Sequence, residues 1–146
     1  MSFIPVDATS KNWKLRFYKK TASIAIGQNV LLDWPASVTG YFVVATSSTT
    51  KLCGISQFIT TASDADYTLN VLKPVLVPIG GTQSEVWATT AGTAVATDVG
   101  GRFDLTDSTT VNRAASSVGR YVMTGFVTAT KTKGYLLPLA QYAAAA

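Results

Sequence analysis

The residues of this sequence with the most chemical potential lie in one polar stretch, "DVGGRFDLTDSTTVNR", at residues 98 to 113. Three aspartates there could share a metal ion and two arginines could hold an anion: Asp98, Asp104, Asp107, Arg102 and Arg113. A calcium loop of the EF-hand type needs acids at alternate positions and a closing Glu about twelve residues after the first. The aspartates do not keep that spacing, so we expect no metal site here.

A structural interpretation accounts for the same stretch residue by residue. Gly100 and Gly101 allow a positive backbone φ in a turn, Phe103 and Leu105 alternate as in a short strand, and Asp107 begins the polar turn "DSTT". The pair Asp64 and Asp66 lies in "TASDADY", which also has the composition of a turn. We therefore interpret both acidic segments as turns.

The composition removes most routes to catalysis. The chain has no histidine, which takes away the usual general base at neutral pH and most zinc or iron sites. Its single cysteine, Cys53, lies in the apolar run "KLCGISQFI" and is predicted to be a buried small hydrophobe. No glycine-rich loop carries the Lys-Ser/Thr pair of a phosphate site. We expect a non-enzymatic protein with no catalytic residue, metal or cofactor.

Residue usage predicts an all-β fold. The 146 residues include 21 Thr and 12 Ser but one Glu, Glu85, and Thr favours strands whereas Glu favours helices. Hydrophobic residues make up 47% and charged residues 14%, which is enough apolar material for one core. We predict a single sandwich or partly open barrel of about ten short strands. The predicted strands are 13–20, 22–26, 29–33, 41–46, 51–59, 67–72, 74–79, 85–89, 102–106, 120–130 and 133–139.

Three segments follow from the pattern: an N-terminal arm at 1–12, a β domain at 13–139 and a C-terminal tail at 140–146. The arm shows no period and is expected to form no element of its own, so its deletion up to residue 9 should leave the fold intact. Within the domain, Pro74, Pro78 and Pro138 cannot donate to a strand ladder. We therefore expect these prolines to mark edges, bulges or strand starts, and the runs that hold them not to be central strands.

The first predicted strand is amphipathic and locally basic. Trp13, Leu15 and Phe17 alternate with Lys14, Arg16 and Tyr18, so the aromatic and leucine side chains should face inward and the cations outward. The net charge is +4, and much of it is concentrated here, which would attract an acidic protein or a nucleic acid.

The second half of the chain resembles a family of viral structural proteins. From Val71 to Leu139 a proline-bearing strand is followed by "GGTQ", "EVWAT", "GTAVATDVGGRFDLTDSTTVNRAAS" and "GRYVMTGFVTATKTKGYLLPL". This order resembles the small β-rich decoration, or cement, proteins that bind the outside of tailed-phage capsids. The resemblance implies a virion protein on the outer capsid surface, made in the host cytoplasm, that bridges major capsid subunits and works as a dimer or trimer.

We expect the arm and the basic strand to touch the shell or a sister subunit. The apolar start of the arm is too short to form a core alone, and the cations beside it would attract an acidic partner. The expected contact residues are Phe3, Ile4, Pro5, Lys14, Arg16, Lys19 and Lys20.

Two other functions remain open. A barrel that binds single-stranded nucleic acid would use Trp13 as a stacking platform beside Lys14, Arg16, Lys19 and Lys20. A carbohydrate-binding module would need Trp34, Trp87 or Tyr121 as exposed platforms. No run of about 18 apolar residues predicts a membrane span, and we expect neither a membrane nor a nucleic acid as the main partner.

Overall fold

The computed structural model describes residues 3–9, 12–35, 39–49, 51–79, 84–116 and 119–137. Within these ranges the chain is almost entirely β, which confirms the predicted fold class. The predicted tail, 140–146, and Pro138 lie outside the described residues. The strands are β1 (Phe3–Pro5), β2 (Trp13–Lys19), β3 (Leu31–Asp33), β4 (Val43–Val44), β5 (Leu52–Ser56), β6 (Leu72–Pro78), β7 (Glu85–Ala91), β8 (Arg102–Leu105), β9 (Thr110–Asn112), β10 (Tyr121–Thr128) and β11 (Lys131–Leu136).

Six strands form a barrel-like closed sheet in the order β1-β7-β11-β10-β8-β9. Closure depends on β7, which pairs with β11 along one edge and with two strands in succession along the other. β1 pairs antiparallel with Val86–Ala88, and β9 pairs in parallel with Thr89–Ala91. Because β9 pairs with β8 as well as with β7, the sheet closes on itself, and β1 occupies the rest of the same β7 edge.

The other five strands form a second sheet in the order β2-β6-β5-β3-β4. Its inner face supplies Trp13, Leu31 and Ile55 to a core shared with the closed sheet. The closed sheet contributes the remaining fully buried members, among them Phe3, Val86, Leu105, Tyr121 and Met123. This main core lies between the two sheets, as the predicted sandwich or barrel requires.

A second core covers the opposite face of the five-stranded sheet. Leu32, Cys53 and Val75 from the strands pack there against Phe42 and Phe58 from the connecting segments. The prediction that Cys53 is buried is confirmed, and burial raises the pKa of its thiol to about 12. The middle of this sheet is therefore buried on both faces.

Two predicted strands are wrong: the run 22–26, which covers this second core, and the run 67–72. The run 22–26 makes only an isolated bridge, between Ile26 and Thr60, because Ser23 adopts a positive φ of 62° and interrupts the extended chain. The run 67–72 is a series of turns up to β6, with Tyr67 N–H donating to Asp64 C=O. Two strands that the pattern did not predict are the three-residue β1 and β9.

The prediction that the proline-bearing runs are not central strands is also wrong. β6 carries Pro74 and Pro78 yet lies between β2 and β5. Its pairing with β5 spans only Val75 and Leu76, so neither proline has to donate there. Toward β2 the prolines stand opposite Phe17 and Trp13, at positions where the antiparallel ladder needs no N–H.

The expectation that residues 1–12 form no element is wrong for Phe3–Pro5. The phenyl ring of Phe3 is fully buried in the main core, and its N–H donates to Asn29 C=O. A three-residue strand is too short to show a period in the sequence, but it fits the half of the β7 edge that β9 leaves open. Phe3–Pro5 therefore pack as part of the domain, and their removal should destabilise the fold.

Candidate functional site: the exposed edge of β2

The predicted contact residues separate into buried and exposed groups. Phe3 and Lys20 are fully buried and Pro5 is half-buried, so their side chains are not free surface. Ile4 is 47% exposed on the closed sheet, beside Trp87. The exposed cations Lys14, Arg16 and Lys19 all lie on β2, at the outer end of the other sheet. The structure therefore brings together only the β2 members of the predicted set.

β2 is an edge strand whose outer backbone groups are open. Flanking hydrogen bonds from Ile79 N–H to Asn12 C=O and from Lys20 N–H to Val71 C=O fix the alternation, so the even-numbered residues of β2 bond to β6. The N–H and C=O groups of Leu15 and Phe17 point the other way. Among the described residues nothing pairs with them. We call this stretch, from Trp13 to Lys19, the β2 edge.

The prediction that Leu15 and Phe17 face inward is wrong. Trp13 reaches the main core, but Leu15 is 53% and Phe17 58% exposed. Leu76, which stands opposite Leu15 and pairs with Ile55 of β5, is partly buried against the main core. The main core therefore covers β6 at this level but does not reach the outer strand of the β2–β6 ribbon. Leu72, which stands opposite Lys19 on the same side of the ribbon, is exposed too. An apolar strip thus lies on one side of the β2 edge.

The other side of β2 carries cations without local counter-charges. Lys14 and Arg16 are exposed, and neither forms an ion pair with any residue that the structure describes. Tyr18, on the same side, packs edge-on against Trp34 with the ring centroids 5.0 Å apart. The β2 edge therefore combines an apolar strip, unpaired backbone groups and positive charge. Sequence alternation could not separate this edge from a half-buried strand, although several cations on one short strand are typical of edges.

Lys20 has a structural role in place of the predicted contact role. Its Nζ donates to the carbonyl oxygens of Tyr67, at 3.0 Å, and Leu69, at 2.8 Å. Burial lowers the pKa of this ammonium, and nearby Asp66 opposes the shift. Lys20 therefore fastens the turns at 61–70 to the end of β2.

The three aspartates of the stretch 98–113 each accept hydrogen bonds from a different residue, and each stabilises a different part of the local structure. Asp98 accepts hydrogen bonds from Arg113, Asp104 accepts from Gly119 N–H at 2.6 Å, and Asp107 accepts from Thr109 N–H at 2.9 Å. Gly100 has the expected positive φ, at 93°. In the described part of the chain no three His, Cys, Asp or Glu side chains are grouped to hold a metal. The interpretation of this stretch as turns and a strand is confirmed.

The aromatic platforms needed by the alternative functions are mostly buried. Trp13 and Tyr121 are buried in the main core, and Trp34 is half-buried beside the second core. Trp87 differs, because it lies half-buried on the outer face of the closed sheet with two ammonium groups over its ring. Lys131 Nζ is 5.2 Å and Lys133 Nζ 5.6 Å from the ring centroid. Neither lysine was predicted as a site residue.

No known protein family matches the chain, and no curated protein matches it in sequence. Among the described residues, no helix has the length and apolar character that crossing a membrane requires.

Proposed function

We propose that this chain is a non-enzymatic structural protein that binds the outer surface of a phage capsid and stabilises it by bridging major capsid subunits. The resemblance of residues 71–139 to capsid decoration proteins suggests the class. The observation that carries the proposal is the β2 edge, where Leu15 and Phe17 are more than half exposed beside Lys14 and Arg16.

A surface of this kind suits contact with another protein. Large exposed apolar side chains next to one another mark interaction sites, and uncompensated cations favour an acidic partner. A protein that binds only the assembled shell stabilises the shell by mass action, and repetition at symmetry-related sites adds avidity to weak individual contacts. An exposed edge strand can therefore provide a stabilising contact without any catalytic group.

Cosedimentation with undecorated heads, assembled from the accompanying major capsid protein, tests the proposal. The parent should sediment with heads, and Lys14→Glu/Arg16→Glu should weaken binding by about tenfold at low salt, where charges are least screened. The matched control is Lys51→Glu/Lys131→Glu, which makes the same charge change at exposed lysines away from β2. Failure of the parent to bind heads rejects the proposal. Equal losses in both variants would mean that net charge, and not β2, controls binding.

One observation favours a second function, the binding of single-stranded nucleic acid. Trp87 with Lys131 and Lys133 places an aromatic ring beside two cations, the combination that holds bases and phosphates. Anisotropy of a labelled oligothymidine should then rise with the parent and fall with Trp87→Ala, whereas Trp34→Phe should bind like the parent. If the parent leaves the anisotropy unchanged at low salt, this function is rejected.

A further inference from the structure

We propose that the β2 edge binds by strand addition: it accepts one extended segment of its partner in which acidic and apolar side chains alternate. The inference deepens the proposed function and rests on it only for the partner's identity, the shell protein. The mode of binding follows from the backbone and side chains of β2.

The backbone of β2 offers a defined place for one short strand. Along β2 from Trp13 to Lys19, the backbone groups that point away from β6 and are open are the C=O of Trp13, the N–H and C=O of Leu15 and of Phe17, and the N–H of Lys19. The chain itself closes both ends, because Thr9 C=O accepts from Trp13 N–H and Phe42 N–H donates to Lys19 C=O. The open length is about 20 Å at the usual rise per residue, enough for five to seven residues.

The side chains of β2 specify the composition of the added strand. A neighbouring strand places alternate side chains on the two sides of the sheet, directly beside those of β2. On one side they would meet Leu15 and Phe17, which favours apolar residues. On the other they would meet Lys14 and Arg16, which favours Asp or Glu. The complementary sequence is therefore an alternation of acidic and apolar residues.

Charge argues against a second copy of this chain as the occupant. Two antiparallel β2 strands would bring Lys14 and Arg16 of each copy next to those of the other. Like charges opposite one another across a strand pair are unfavourable, and among the described residues neither side chain has a carboxylate to compensate it. An acidic strand from a different protein avoids this repulsion.

A labelled synthetic peptide, acetyl-VEVEVEV-amide, tests the mode of binding on the full chain. We expect saturable binding by fluorescence anisotropy and no binding of the VKVKVKV peptide. Lys14→Glu/Arg16→Glu should reverse this preference: the affinity for VEVEVEV should fall about tenfold or more, and the affinity for VKVKVKV should rise. Absence of binding to the parent, or an unchanged preference in the charge-reversed variant, overturns the inference.

Backbone methylation of the peptide distinguishes strand addition from simple charge attraction. If the added strand is antiparallel, the valines opposite Leu15 and Phe17 exchange hydrogen bonds with β2, so N-methylation of valine should abolish binding and N-methylation of glutamate should not. If it is parallel, the glutamate amides donate and the result is the opposite. Equal tolerance of both peptides would show that the backbone is not recognised, which overturns strand addition.

A protein variant tests the same point from the other side. Leu15→Pro removes an N–H that points away from β6 and leaves every hydrogen bond between β2 and β6 in place. The natural Pro74 and Pro78 occupy the same kind of position, at pairs of the β2–β6 ladder that are not hydrogen-bonded. We expect it to melt within a few degrees of the parent and to lose peptide binding. If Leu15→Pro unfolds, the double variant Leu15→Ala/Phe17→Ala is used instead. Its affinity for the peptide should fall about tenfold, because the apolar contacts are missing. Parental affinity in a folded variant overturns the inference.

The peptide and head experiments separate the two proposals. Peptide binding without head binding would support strand addition and reject the capsid as the partner. Head binding that Leu15→Pro leaves unchanged would support the proposed function and overturn strand addition. If the parent instead dimerises in analytical ultracentrifugation, Leu15→Pro makes it monomeric, and the peptide does not bind, the occupant is a second copy and the inference is wrong.

Discussion

The guanidinium of Arg113 donates two hydrogen bonds to the carboxylate of Asp98, from Nε to Oδ2 at 2.9 Å and from Nη2 to Oδ1 at 3.0 Å. The same carboxylate accepts a hydrogen bond from Val95 N–H at 2.9 Å. The pair joins the end of a short 3-10 helix, Ala96–Asp98, to the residue that follows β9, and so links both ends of the stretch 98–113. The hydrogen bonds from Arg113, and to a smaller extent the one from Val95 N–H, lower the pKa of Asp98.

We predict that Asp98→Asn destabilises the protein at neutral pH but not in acid. Because the pKa of Asp98 is lower in the folded state, its contribution to the free energy of unfolding is complete above the unfolded value of about 4 and is lost as the pH falls through the folded value. The melting temperatures of parent and variant should therefore differ at pH 7 and converge toward pH 2.

Asp33→Asn serves as a control of opposite sign. Burial raises the pKa of Asp33, so its ionisation opposes folding at neutral pH and ceases to do so as the pH falls through the raised value. This variant should gain melting temperature relative to the parent at pH 7, and the gain should vanish in acid. Parallel pH profiles for the two variants would contradict both assignments.

We predict that Phe3→Ala costs about 3 kcal/mol or more in the free energy of unfolding. Its ring is fully buried in the main core, and deletion of a buried phenyl leaves a cavity. Ile4→Ala, one residue away on the exposed side of β1, should cost less than about 1 kcal/mol. Urea unfolding of both variants checks this. Equal effects would mean that β1 is not anchored by its buried ring.

We predict that Gly134→Ala is strongly destabilising, by about 3 kcal/mol. A Cβ there would lie 2.2 Å from the carbonyl oxygen of Val122 and 2.5 Å from Cζ of Tyr121, and a backbone oxygen cannot shift as the end of a flexible side chain can. Gly27→Ala is the matched control, since its Cβ would meet only Val30 Cγ1, at an ordinary 3.6 Å. Thermal and urea unfolding should separate the two variants. A Gly134→Ala protein as stable as Gly27→Ala would contradict the predicted crowding.

We predict that Lys20→Met loosens the turns at 61–70. The substitution keeps the length of the side chain but removes two hydrogen bonds to carbonyls, which should cost about 2 kcal/mol. Lys19→Met, exposed and adjacent, should be close to neutral. Hydrogen exchange checks the location, because amides near Tyr67 and Leu69 should exchange faster in the first variant alone. Uniform acceleration throughout the chain would instead indicate global destabilisation.

The fold class could be predicted from the sequence because it depends on residue usage and turn chemistry, which are local. The strand boundaries were predicted best where alternation was long, as in β2 and β10. Short strands such as β1 and β9 could not be found, since three residues show no period and their pairing is set by β7, far away in sequence. The prediction of a strand at 22–26 failed for another reason, since a segment that covers a sheet can be as apolar as a strand within the sheet.

The candidate site was predicted in part. Lys14, Arg16 and Lys19 are exposed as expected, but alternation along β2 places Lys19 on the side of Leu15 and Phe17 and not beside the other two cations. Whether the apolar side of β2 is covered depends on how far the main core extends beyond β6, which the sequence of β2 does not contain. The burial of Lys20 likewise depends on carbonyls about 50 residues away.

The shared edge of β7 has a consequence for how the chain folds during synthesis. β1 is made first among the strands, but its partner β7 leaves the ribosome more than 80 residues later, and β7 in turn awaits β11 at Lys131–Leu136. At usual translation speeds of about 5 to 20 residues per second, β1 waits for several seconds with Phe3 unburied. Pairings this distant in sequence fold slowly and leave strands open to wrong partners meanwhile. The closed sheet is therefore completed only after translation has passed residue 136, and a nascent chain stalled before that point should lack it.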